Sequence, residues 1–300
     1  MNKPLPSYGV ITPVRDEEKY ITCTLKAMVR QRHKPLVWVL VDDGSTDKSA
    51  VLIRKYAQNH SWIRLLQTRR DSPRLTGSAE IEAFNTGLEL LPLSECDVIV
   101  KLDADLSFDA GYFEALLSKF GEDGRLGIAS GVYLEEKGAG WAPVPMPDYH
   151  AAGASKAVRA ECFKAIGGFL SQRGWDTVDE IRALALGWKT RHFPELKFYH
   201  LKKEGSGMGQ VKTGLMHGEI MYRTTGGVFL FMLFKALARA ITGRPPLMAG
   251  AALLFGYLKT SFSRAPLLVS PNEAALYQAL LTQRLSGGFR RAATHLFGKK

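Results

Sequence analysis

The sequence predicts an α/β fold: a doubly wound, mostly parallel sheet over residues 1–210, followed by a basic, apolar helical region over 211–300. Three observations predict it. Continuous apolar runs of strand length alternate with segments of helical periodicity. The strands end abruptly in acidic or Gly-containing turns. The formal charge of +11 is unevenly spread, because residues 211–300 hold 12 Lys/Arg against 2 Asp/Glu, a net +10, which leaves +1 for the body.

The elements follow in order. Tyr8–Pro13 reads as the first strand. Ile21, Leu25, Met28 and Val29 then fall on one helical face. Leu36–Val41 is an apolar run suited to a strand buried on both faces. It stops at Asp42-Asp-Gly-Ser-Thr-Asp47, whose polar side chains can cap a helix running through about Tyr56. Trp62–Gln67 reads as a third strand, Ser78–Leu91 as a helix and Asp97–Leu102 as a fourth strand. Asp103-Ala-Asp105 comes next, and Phe113, Leu116, Leu117 and Phe120 are spaced as a helix. The Gly- and Pro-rich stretch Gly138–Pro147 predicts a surface loop without strand or helix. A helix over Asp176–Gly187 and a short strand over Leu196–His200 complete the body. Gly205–Gly209 reads as a flexible join.

Composition narrows the possible chemistry. The three cysteines, Cys23, Cys96 and Cys162, form neither a Cys-x-x-Cys pair nor an even set, which disfavours a zinc site or a disulfide framework and suits a reducing cytosol. Met1–Tyr8 lacks a basic stretch followed by an apolar run, so no signal peptide is expected.

Asp103-Ala104-Asp105 carries the most chemical weight. On an extended segment Asp103 and Asp105 would project to one side, at the carboxyl end of a buried strand, where open α/β sheets bind ligands. Two such carboxylates call for a cation between them, and Mg²⁺ or Mn²⁺ shared with phosphate oxygens meets that need. A second signal is Val41–Asp47: a carboxylate there can accept a hydrogen bond from a nucleobase imide, and Gly44 allows the tight turn. Thr12-Pro13-Val14-Arg15-Asp16-Glu17, at the first strand end, would form the neighbouring wall.

Together these residues resemble the family 2 glycosyltransferases, which have a GT-A fold. The resemblance runs through Thr12-Pro13 with Arg15-Asp16-Glu17, Val41–Asp47, Asn85-Thr-Gly87 and Leu102–Asp105. It continues into Gly174–Trp188, where Asp176 lies six residues before Arg182 and Gly187 five after it. It covers about residues 7–205 and implies a nucleotide-diphosphate sugar donor and inverting displacement at the anomeric carbon. In that frame Thr12, Pro13, Arg15, Asp16, Glu17, Asp42 and Asp43 line the nucleoside pocket, and Asp103, Ala104 and Asp105 hold the diphosphate and metal. By motif alignment Asp176 is the base that takes the acceptor's proton, with Asp179 and Glu180, three and four residues on, as alternatives. His200 is implied as a further metal ligand or a diphosphate contact, and Lys202 and Lys203 as phosphate contacts. The sequence departs from the family pattern in two places. Trp175 stands where relatives often carry Glu, and it can either stack on an acceptor sugar or anchor the core. The segment Leu75–Ser78 also lacks the usual Lys, which leaves Arg69, Arg70 or Arg74 to hold the diphosphate. The Gln-x-x-Arg-Trp pattern of processive relatives is absent, which favours single addition.

The tail narrows the partners. Val228–Ile241 and Leu247–Leu258 are apolar but shorter than the ~20 residues that cross a bilayer. Asn272–Leu285 is amphipathic. Aromatics clustered in Gly227–Phe234, rather than interleaved with charge, argue against nucleic acid. Short apolar helices with basic residues suit the membrane interface, and anionic lipid would attract their charge. The expectation is therefore a cytoplasmic protein peripheral to the inner face of the cell membrane, acting on a glycan or polyprenol-linked acceptor. A homodimer through residues 211–300 is the competing use of the tail. Nucleotidyl transfer is the rival chemistry, disfavoured because Thr12–Glu17 lacks a glycine. An inactive membrane-associated homologue is the non-enzymatic rival.

Overall fold

The computed structural model describes residues 4–68, 79–138, 140–202, 209–243 and 245–297. The chain divides into two compact units, Met1–Lys203 and Glu204–Lys300.

In the first unit the elements run β1 (Tyr8–Val14), α1 (Ile21–Val29), β2 (Val37–Asp43), α2 (Ser49–Ala57), β3 (Ile63–Thr68), α3 (Ala79–Leu88), β4 (Val98–Leu102), β5 (Leu106–Phe108) and α4 (Tyr112–Glu122). They continue with β6 (Leu126–Lys137), β7 (Gly140–Pro143), β8 (Ser155–Arg159), α5 (Ala160–Ala165), α6 (Trp175–Ala185) and β9 (Lys189–His200). The strands form one sheet in the order β3-β2-β1-β4-β8-β6-β9-β5, with β7 on β6. The half β3-β2-β1-β4 is parallel throughout. β1, β2 and β4 are almost wholly buried, as their unbroken apolar runs require. Gly87 of the Asn-x-Gly motif lets α3 lie close on this half. A Cβ there would come within 2.7 Å of Ile11 and 2.8 Å of Val41.

The second half is mixed, and here the sequence reading needs correction. β5, β6, β8 and α5 were not legible as elements, and the short strand expected at Leu196–His200 is the end of the 12-residue β9. Gly138–Pro147 is not a structureless loop: β7 pairs with β6 in a hairpin whose turn uses Gly138 at φ 65°. The glycine that argued for a loop supplies the left-handed turn residue. β6 and β9 run parallel, but their register jumps. Gly131 lies opposite Phe193 and Val132 opposite Lys197, so β9 bulges by three residues. A side chain at 131 would meet the Leu196 carbonyl at 2.3 Å, which fixes glycine at this crossing.

The second unit is helical: α7 (Gly209–Thr225), α8 (Phe229–Thr242), α9 (Met248–Phe262) and α10 (Pro271–Phe297). α10 runs well past the expected end at Leu285. α7 and α9 pack at backbone distance. A Cβ at Gly218 would meet the Leu253 carbonyl, and one at Gly256 the Leu215 carbonyl, each at 2.1 Å. α8 leaves Phe229, Leu230, Leu237 and Ile241 exposed, and α9 leaves Phe255 and Phe262 exposed. Among the described residues, no helix is long and apolar enough to cross a membrane.

Candidate active site

A pocket opens at the carboxyl ends of the parallel strands. It is lined by Pro13, Arg15, Glu17, Asp43, Glu80, Asp103, Ala104 and Asp105, among others. Thr12, Asp16 and Asp42, also expected there, do other work. Thr12 is fully buried and its hydroxyl accepts the Trp38 indole N–H at 2.9 Å. Asp16 adopts φ 55° and accepts the Thr46 N–H at 2.8 Å. Asp42 accepts from Ser45 N–H and from Gln67, each at 3.0 Å. Thr12 thus ties β1 to β2, and Asp16 and Asp42 hold the turns that shape the wall. Asp43 and Arg15 form the wall itself, 3.9 Å apart, and Lys202 reaches Glu17 at 2.6 Å.

Asp103-Ala104-Asp105 is a turn between β4 and β5, not the extended segment whose alternation was to align its carboxylates. The alignment has another cause. The Thr24 hydroxyl of α1 donates to the Ala104 carbonyl at 2.7 Å and accepts the Leu106 N–H at 2.9 Å. Asp103 N–H donates to the Ala154 carbonyl at 2.8 Å, and the Asp105 carbonyl accepts Leu201 N–H at 2.9 Å. The turn is thus pinned on three sides. His200 is paired with Leu106 across β5 and β9, and its Nε2 lies 3.4 Å from an Asp105 carboxylate oxygen. One donor atom each from Asp103, Asp105 and His200 lies within 4.8 Å of the others. Two carboxylates and an imidazole, gathered this closely, are a fitting donor set for Mn²⁺ or Mg²⁺. Burial pushes the Asp103 carboxyl up to about 7, against the pull of Lys101.

Two lysines that the sequence reading passed over organise the rest. Lys101 of β4 and Lys156 of β8 are cross-strand partners, and both ammonium groups are buried. Lys101 pairs with Glu80 and Asp103. Lys156 donates to Asp179 at 3.1 Å, to Glu180 at 3.3 Å and to the Asp176 carbonyl at 2.8 Å. The Trp175 ring takes both cations, at 5.3 and 5.1 Å from its centroid, and packs on Phe169 at 5.0 Å. Trp175 is therefore a buried spacer rather than a surface for stacking a sugar. The signal was legible: Val98-Ile-Val-Lys-Leu102 sets one charge inside an otherwise apolar strand, and a buried charge needs a partner.

The three acidic residues of α6 separate. Asp179 and Glu180 are buried on Lys156, and Glu180 also accepts Ala151 N–H at 2.7 Å and lies 3.0 Å from the His150 ring. They fix the 150–154 segment. Asp176 alone stays partly exposed. It lies beside Gly153, where an added Cβ would be 3.8 Å from its own Cβ, and the adjoining Ala154 holds the Asp103 turn. Arg69, Arg70, Arg74 and Lys203 lie outside the described residues.

Sheet, turn and pocket define a GT-A nucleotide-sugar transferase fold, and the comparisons agree. The chain aligns with the mannosyltransferase PcManGT from Pyrobaculum calidifontis in complex with GDP-Man and Mn²⁺ at TM-score 0.56 and 17% identity, over 99% of this chain and 89% of that one. It aligns with S. aureus TarS 1–349 in complex with UDP-GlcNAc at TM-score 0.53 and 17% identity, over 86% and 73%. With GalNAc-T7 bound to UDP, GalNAc and Mn²⁺ the TM-score is 0.56 at 15% identity, over 84% and 54%. Residues 9–147 match the family model described as Glycosyl transferase family 2, so the resemblance read from the motifs holds over that segment. A probable glycosyltransferase, YdaM, of Bacillus subtilis is 31% identical over 105 residues, 34% of this chain and 24% of the relative. An uncharacterized glycosyltransferase of Haemophilus influenzae is 32% identical over 105 residues, 35% of this chain and 38% of the relative. The chain thus spans well under half the length of either curated relative.

Proposed function

We propose that this chain is an inverting, metal-dependent glycosyltransferase that moves a sugar from a nucleotide-diphosphate donor to an acceptor hydroxyl. The observation that carries the reading is the convergence of Asp103, Asp105 and His200 at the end of β4, beside a pocket walled by Arg15 and Asp43. Arg15 and Asp43 receive the nucleoside. Asp103, Asp105 and His200 would hold Mn²⁺ or Mg²⁺, which supplies charge neutralisation for the departing diphosphate. Asp176 takes the proton from the acceptor hydroxyl. Its partial exposure and its place across Gly153 from the Asp103 turn support that role over Asp179 and Glu180, whose carboxylates are committed to Lys156.

In the same proposal, residues 1–210 form the catalytic domain and 211–300 a region that docks peripherally on the inner membrane face. The supporting features are the net +10 and the exposed side chains of α8 and α9, Ile241 and Phe262 among them. The acceptor would then be a polyprenol-linked or other surface-glycan precursor. Flotation with anionic vesicles tests this. Ile241→Glu with Phe262→Glu should release the protein. If both proteins float equally the docking idea fails, and a change in oligomeric state instead would assign the face to a second copy.

A thermal-shift panel of UDP, GDP and dTDP, with and without Mn²⁺, tests the catalytic reading. A ligand at 100 times its Kd stabilises by about 2.7 kcal/mol. A Mn²⁺-dependent shift with one nucleotide is the expected result; no shift with any of them counts against transfer.

A further inference from the structure

Three cations of the helical unit converge on one side of α8, and both acids of residues 211–300 are engaged elsewhere. Those acids are Glu219 and Glu273. Glu219 lies 3.6 Å from Arg223 within α7, and Glu273 accepts the Ser270 N–H at 2.7 Å at the start of α10. α8 carries Lys235 and Arg239 one turn apart on one face. Phe231, one turn before Lys235, brings in the third cation: the Arg284 guanidinium of α10 stands 6.0 Å from its ring centroid. All three cationic residues are exposed. Enclosure of the ammonium pushes Lys235 down to about 8, and Arg284 and then Arg239 add repulsion.

The cluster is not part of the apolar face. Leu230, Phe234, Leu237 and Ile241, spaced three and four residues apart, form the exposed stripe of α8, and Met232 and Ala236 the buried one. At 3.6 residues per turn, Lys235 and Arg239 fall on the flank nearly opposite the exposed stripe. A flat bilayer resting on that stripe would leave both cations turned away from it. Their charge suits a compact anion that arrives from solution instead. A lysine supplies a point charge and an arginine a planar fork for paired oxygens, a set that a phosphate dianion satisfies. The same anion would relieve the mutual repulsion of the three cations. We propose that Lys235, Arg239 and Arg284 form a binding site for the phosphate group of a soluble ligand, distinct from the docking stripe of α8.

Calorimetry on the full chain with inorganic pyrophosphate tests the site. EDTA is present, so that no divalent ion recruits the probe to Asp103 and Asp105. Flotation with phosphatidic-acid vesicles is the second arm. The wild type should bind pyrophosphate. Lys235→Gln with Arg239→Gln should weaken that binding by about tenfold or more, the worth of a hydrogen bond to a charged group, and should float as the wild type does. Ile241→Glu with Phe262→Glu should do the reverse, losing flotation and keeping pyrophosphate. A wild type that does not bind pyrophosphate, or a Gln variant that binds it equally well, overturns the site. A Gln variant that also loses flotation overturns it too, because the cations then serve the bilayer. Should the Gln variant lower the thermal midpoint, Lys235→Arg with Arg239→Lys decides: retained binding supports the site and lost binding overturns it.

Discussion

Lys101 and Lys156 are neighbours in the sheet, share the Trp175 ring and are equally buried, but they serve different surroundings. The carboxylates on Lys156 are sealed, at 0% and 3% side-chain exposure. Those on Lys101 open to the pocket, at 39% for Glu80 and 27% for Asp103. Burying an ammonium is costly in both cases and is offset only by close pairing. On the Lys156 side that pairing is spent within the protein, tying α6 to the 150–154 segment. On the Lys101 side it leaves two carboxylates pre-positioned where a ligand can reach them. The difference separates scaffold from site more clearly than charge or burial alone.

The largest effect should come from the open side. Asp105→Ala removes a donor from the three-residue cluster and should abolish Mn²⁺-dependent transfer with an unchanged circular-dichroism spectrum; retained activity would break the metal assignment. Asp176→Asn should lower kcat by about 10²–10⁴, the range of general-base catalysis, while donor affinity holds. Loss of donor affinity instead would move Asp176 to the donor side.

The sealed side should show in stability. Lys156→Met leaves Asp179 and Glu180 without their cation and should cost about 3–5 kcal/mol in denaturant unfolding. In the folded fraction, nucleotide affinity should be unchanged. If it fell as far as transfer does in Asp105→Ala, the distinction between the two lysines would collapse.

The smallest effect is on pH. A carboxyl raised to about 7 is partly protonated below that pH and then cannot ligate a metal. Mn²⁺-dependent nucleotide binding should therefore weaken as pH falls from about 8 to about 6, tracking the Asp103 shift. A flat profile would indicate that Asp103 is ionised throughout.

Legibility in the sequence followed the same division. β1, β2 and β4 could be read because strands buried on both faces are continuous apolar runs, and the acidic turns beyond them stood out against that background. The mixed half could not be read as well. In β8, Ser155-Lys-Ala-Val-Arg159, the charge of Lys156 has its partners on α6, and β6 begins in Gly- and Ala-rich sequence. Within the site, Asp103, Asp105 and Asp43 were found by motif. Lys101 showed as a lone charge in an apolar strand, but its partner Glu80 did not, since that pairing is a contact between α3 and β4. For Trp175 the residue type alone does not separate a sugar-stacking surface from a core anchor; its burial between two cations does.

The bulge in β9 has a consequence for how the chain can vary in length. Side chains alternate along a strand with a period of two. The three residues that β9 gains on β6 between Phe193 and Lys197 interrupt that period. His200 lies downstream of the bulge and reaches Asp105. Residues 194 and 195 are both exposed, so alternation already fails inside the bulge. Beyond it, His200 takes its facing from its pairing with Leu106. A change of length at 194–196 can therefore be taken up in the bulge, and it reaches the imidazole only if it breaks that pairing.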